Sequence, residues 1–99
     1  APTPFRKTLA KLDLLSLRLF LTICEEESIG RAAERESIAP SAVTKRIQEL
    51  EHLFGVKLLY RHARGTVPTP VGQALASHAR NVFLLVEDIR IDLSQFAKA

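Results

Sequence analysis

Residues 28–61 read SIGRAAERESIAPSAVTKRIQELEHLFGVKLLYR, and their patterning predicts two short helices, a tight turn between them and a ribbon after. Val43, Ile47, Leu50 and Phe54 recur at four-, three- and four-residue steps, which places them on one helical face. The opposite face carries Ser41, Thr44, Lys45 and Gln48, with His52 further along. Side chains of this kind exchange hydrogen bonds with base edges and phosphate oxygens, and none in the row is a carboxylate. An ordinary solvated face would mix Glu with Lys, so the row favours nucleic-acid readout over a plain surface helix.

The flanking signals frame that core. Ser28 can cap a helix from Ile29 to Glu36, in which Ala32 and Ala33 let another helix approach closely. Ser37, Ile38 and Ala39 make the turn, Pro40 stands where a first helical residue tolerates a missing N–H, and Gly55 suits a left-handed C-terminal cap. Upstream, Asp13 can cap a helix from Leu14 to Glu26 with Leu17, Phe20, Leu21 and Cys24 as its inward stripe. Residues 1–12 show prolines and basic residues without periodicity, which predicts a flexible arm.

After Gly55 the period changes. VKLLYR and TVP are short strand candidates separated by His62, Ala63, Arg64 and Gly65. A ribbon with an arginine at its tip has the form of a wing, and arginine suits a narrow minor groove. Thr69 and Pro70 then open a helix running to about Phe96, along which Leu75, Ala79, Val82, Val86, Ile89, Leu93 and Phe96 form a heptad seam. A helix of that length, roughly 40 Å at 1.5 Å per residue, outreaches a three-helix body. Its seam therefore predicts a second copy of the chain as cover.

Composition bounds the alternatives. A chain of 99 residues with net charge +3 holds one domain. Between His52 and Glu87 it has Lys57, Arg61, Arg64 and Arg80 and no acid, a one-signed stretch suited to phosphate. The lone Cys24 excludes an internal disulfide and reads as a small buried hydrophobe. Arg6, Lys7 and Lys11 ahead of LLSLRLFLTIC imitate a signal peptide, but Arg18 and Glu25 to Glu27 interrupt the pattern, which predicts a cytoplasmic protein with no membrane partner. His52, His62 and His78 match no metal spacing, and no phosphate loop or nucleophilic cluster appears, so neither an enzyme nor a cofactor is expected. A dimerisation module without DNA would have no reason to keep the row on the third helix free of acids.

The order LRLF, SIGRAAERE, PSAVTKRIQELEHLFGVKLLYR and ARGTVPTPVGQAL resembles the DNA-binding region of LysR-type transcriptional regulators from Leu12 onward. The resemblance implies a mainly α fold. Residues 13–69 would form a winged helix-turn-helix with a three-helix core and a two-stranded wing, its helix-turn-helix at about 29–48, followed by a linker and dimerisation helix over 70–97. It implies double-stranded operator DNA as partner, a homodimer or a tetramer in the longer protein, and a small-molecule effector held by a C-terminal domain outside this chain. The family's base-reading and phosphate-binding positions fall on Pro40, Ser41, Thr44 and Lys45, and its wing arginine on Arg64. Arg31, Gln48 and Arg61 complete the expected DNA-binding set. The chain departs from the pattern where Ala39-Pro40-Ser41 replaces a common Ser-Gln-Pro, losing a capping hydroxyl and a glutamine able to grip adenine. Glu27 replaces a usual glycine. Other winged-helix regulators share the core and wing, and the long last helix favours the LysR type.

Overall fold

The computed structural model describes residues 4–97, in the order α1 (Phe5–Lys11), α2 (Leu14–Glu26), α3 (Ile29–Glu36), α4 (Pro40–Phe54), β1 (Leu59–His62), β2 (Gly65–Pro68) and α5 (Pro70–Phe96). Local chemistry sets most of these boundaries. Asp13 accepts the Ser16 N–H at 2.8 Å, Ser28 accepts that of Arg31 at 3.0 Å, and Thr69 accepts that of Gly72 at 3.0 Å, so three helices start on side-chain caps. Gly55 ends α4 in the left-handed conformation, while Glu27 and Ser37 adopt it after α2 and α3 at φ 53° and 57°. Those two non-glycine residues each carry a modest backbone strain.

The expected flexible arm is corrected in part: Phe5–Lys11 is helical, and the rest of the arm before Pro4 lies outside the described residues. The reason is tertiary, since α1 buries none of its own residues but lies against α4, where Lys11 pairs with Glu49. No periodicity within seven residues could announce a contact 38 residues away.

The core joins Leu19, Phe20 and Ile23 of α2, Ala32 and Ala33 of α3, Val43, Ile47 and Leu50 of α4, Leu58, Leu59 and Ala76. The inward stripe expected on α2 is therefore displaced. Leu17 and Phe20 are buried, but Leu21 and Cys24 are only half-buried, and Leu19 and Ile23 take the centre because α2 is covered by α3, α4, β2 and α5 together. Phe54 is also corrected: it is 43 % exposed, one turn beyond the last buried residue of α4.

The strands pair antiparallel from Leu59 opposite Pro68 to His62 opposite Gly65, leaving Ala63 and Arg64 as the turn. The wing is tied at both ends. Glu51 of α4 accepts the N–H of Leu58 at 2.8 Å, and Thr66 donates its N–H to the Glu27 carbonyl at 2.9 Å. Gly65 is required there, because a Cβ would lie 2.8 Å from that carbonyl oxygen.

Candidate nucleic-acid interface

α4 presents its core stripe to α2 and α3, and its outer side carries the expected row. Pro40, Ser41, Lys45, Gln48 and His52 are exposed and Thr44 is half-buried. Ala39 makes no side-chain cap, so the first turn of α4 offers backbone N–H groups that no side chain of its own cap satisfies. This is the consequence expected of Ala39 in place of serine.

Ion pairing separates the cations into two groups. Arg18 pairs with Glu36 at 2.8 Å, Arg35 with Glu25 at 2.7 Å, and Arg46 with Asp13 at 3.2 Å while also donating to Ser16 Oγ at 3.1 Å. Lys45, Lys57, Arg61 and Arg64 have no carboxylate within ion-pair distance among the described residues. Of the expected DNA-binding residues Arg31 stands apart, because its guanidinium folds back to donate to the Glu26 carbonyl at 2.5 Å. Glu25 and Glu26 at the end of α2 are thus engaged with Arg31 and Arg35.

Sequence reasoning missed two carboxylates. Glu49 lies one helical turn beyond Lys45, flanking the expected acid-free row, and the hydrogen bond from Lys11 holds its carboxyl below the usual range, aided by Lys45 and Arg46. Glu51 does structural work as an acceptor for the chain entering the wing. The i+4 step from Lys45 to Glu49 was a visible signal for the first; nothing local signalled the second.

Tyr60, Arg61 and His62 of β1 are all exposed, and at the tip the exposed Arg64 lines a hollow together with Glu27, His62 and Val67. Cys24 has a thiol pushed up to about 11 by burial, so it is protonated at neutral pH and unreactive. Among the described residues no cluster of His, Cys, Asp and Glu could hold a metal ion, and no helix is long and apolar enough to cross a membrane.

Along α5 the seam divides. Leu75 and Val82 are half-buried and Ala79 is fully buried against the chain's own body, because the first half of α5 packs on α2. Ala79 therefore cannot serve as interface, contrary to expectation. Val86, Ile89, Leu93 and Phe96 are 39 %, 57 %, 59 % and 73 % exposed, and Leu84, Leu85 and Ile91 widen the bare surface.

A family profile described as bacterial regulatory helix-turn-helix protein, lysR family, matches residues 14–73. The HTH-type transcriptional regulator GltR of Bacillus subtilis is 38 % identical over 84 residues, which cover 85 % of this chain and 28 % of GltR. The crystal structure of the BenM DNA-binding domain in complex with catB site 1 DNA is similar at a TM-score of 0.83 and 30 % identity, covering 88 % of this chain and 97 % of that one. Full-length LysG from Corynebacterium glutamicum with bound effector Arg is similar at a TM-score of 0.78 and 34 % identity, covering 84 % of this chain and 28 % of LysG.

Proposed function

This chain belongs to the lysR family of bacterial regulatory helix-turn-helix proteins, and we propose that it is the operator-reading part of such a regulator, acting as a dimer in the cytoplasm. In this reading residues 13–69 contact DNA and residues 70–97 link and dimerise. The chain spans 28 % of GltR's length, so a small-molecule effector would be held by a domain outside it. Its role is binding rather than catalysis, in keeping with relatives named as transcriptional regulators.

The observation that carries the reading is the outer side of α4: Ser41, Thr44, Lys45 and Gln48 stand opposite the buried stripe, and Lys45 is free of any carboxylate among the described residues. With α4 in a major groove, Thr44 and Gln48 face bases, and Lys45 reaches phosphate or a guanine edge. Pro40 and Ser41 bring the uncapped first turn of α4 to the backbone, where N–H groups and the positive end of the helix favour a phosphate. Arg64 supplies the wing contact to backbone or minor groove, with Arg61 beside it. Arg31 is the weakest member of the set, since binding DNA would require it to leave Glu26.

The dimer follows from the outer half of α5. Val86, Ile89, Leu93 and Phe96 are left largely bare in one copy, and each forgoes a part of the about 1.5–3 kcal/mol that full burial would give, in proportion to its exposure. A second α5 covers them. The test begins with duplexes selected by the domain from a random pool, followed by affinities for every single-base variant of the selected site. Gln48→Ala should flatten preference at one position by about 1–3 kcal/mol. Lys45→Ala should weaken all sequences alike if it holds phosphate. A pool that gives no enriched site overturns the reading.

A further inference from the structure

The cleft between α1 and α4 has a volume of about 310 Å³ and is lined by Ala10, Lys11 and Asp13 on one side and Lys45, Arg46 and Glu49 on the other. In α1, Arg6, Lys7, Ala10 and Lys11 fall within one helical face by their spacing, and Phe5, Thr8 and Leu9 fall opposite. Ala10 and Lys11, at the C-terminal end of the basic face, border the cleft, and across it stands Lys45 of the proposed reading row. Phe5–Lys11 carries three positive charges and no acid, a sum equal to the net charge of the whole chain. Arg6 and Lys7 are exposed and have no ion-pair partner among the described residues. The family profile starts at residue 14, so α1 lies outside the part that matches it.

We propose that α1 is an accessory DNA-contacting element whose basic face binds the phosphate backbone flanking the groove entered by α4. This rests on the DNA-binding reading above. Three features argue for phosphate as the occupant. The charge is one-signed, and at Arg6 and Lys7 unpaired among the described residues; the face is continuous with the α4 surface through the shared cleft; and the two carboxylates lining that cleft, Glu49 and Asp13, are already paired with Lys11 and Arg46. A helix of seven residues has little stability alone, so α1 depends on its contact with α4 for its orientation.

The experiment measures binding of the whole chain to a labelled mixed-sequence duplex of about 40 base pairs across a range of salt concentrations, chosen because backbone contacts carry no sequence requirement. Arg6→Gln/Lys7→Gln, on two exposed side chains, should fold as the parent does by circular dichroism. It should lower the log-affinity against log-salt slope by about 1.8, at about 0.9 per phosphate, and weaken binding about tenfold or more near 0.1 M salt. On a selected site and its single-base variants, all affinities should fall by one common factor. Arg18→Gln, which removes a cation from the exposed side of α2 and from neither the DNA-binding nor the dimerisation set, should leave the slope unchanged. A parent that binds while the double variant keeps its slope and affinity overturns the role of α1 alone, and so does an equal loss in Arg18→Gln, which would make the effect one of net charge. Altered sedimentation of the double variant with DNA binding intact would assign α1 to a protein contact and overturn the proposal equally. A parent that binds no duplex overturns both readings together.

Discussion

Replacing Gly72 with alanine should loosen the joint between the winged body and α5. A Cβ at residue 72 would lie 2.1 Å from the Leu58 carbonyl oxygen and 3.2 Å from Pro68 Cβ. Ordinary contact begins at 3.4 Å, so the Leu58 carbonyl or the start of α5 must retreat by about 1.3 Å. Neither is free to do so. That carbonyl accepts the Thr69 N–H at 3.0 Å, the Leu58 N–H is held by Glu51 at 2.8 Å, and Thr69 Oγ1 donates to the Lys57 carbonyl at 2.7 Å while accepting from Gly72. Overpacking of this kind costs about 1–3 kcal/mol, and weakening one or two buried hydrogen bonds adds about 1 kcal/mol each. Alanine's better helix propensity returns at most about 1 kcal/mol. The net loss should be about 1–4 kcal/mol, which in a domain of this size, at about 4–8 °C per kcal/mol, lowers Tm by roughly 4–30 °C. Thermal unfolding followed by far-ultraviolet circular dichroism measures it. Gly30→Ala is the control, because its nearest neighbour is Ser28 Oγ at 3.7 Å and its φ is ordinary, so that variant should melt at or slightly above the parent. A Gly72→Ala protein that melts with the parent would refute the close approach of α5 to Leu58.

Val86→Glu or Ile89→Glu should push the sedimentation equilibrium toward monomer at micromolar concentration by placing an unpaired charge in the α5 contact; variants that sediment like the parent would remove the seam as interface. Arg64→Ala should reduce the salt slope of DNA binding by about one unit, and an unchanged slope would make the wing tip a bystander. Asp13 gives a pH signature. Partial burial pushes its carboxyl up, but hydrogen bonds from Ser16 and Arg46 outweigh that and leave it below the usual 3.8. A carboxyl depressed in the folded state stabilises the protein above its unfolded value, and that contribution is lost as pH falls through the lower folded value. Asp13→Asn keeps the cap but loses the charge that Ser16 and Arg46 favour, so it should lower Tm at neutral pH, approach the parent in acid, and so flatten the loss of Tm below about pH 4. An acid limb as steep as the parent's would show that other groups carry it.

What the sequence determined by itself was everything encoded within about one helical turn. Asp13, Ser28 and Thr69 as caps, Pro40 as a first helical residue and Gly55 as a terminator are local arrangements of a side chain or a missing Cβ with its own backbone. The buried stripe Val43, Ile47 and Leu50 and the opposite row on α4 are periodicities of the same range. Tertiary structure alone decided which apolar and charged side chains are free. Phe54 continues the stripe of α4 yet is exposed, and Ala79 lies in the heptad seam yet is buried, because burial depends on where the body ends. Arg46 and Lys45 are neighbours of the same charge, but Arg46 is drawn to Asp13, 33 residues away, while Lys45 is not. Helix α1 and the Lys11–Glu49 pair belong to the same class. Propensity and capping act through bonds between near residues and are written in their spacing, whereas an ion pair or a buried face exists only once distant segments have been packed together.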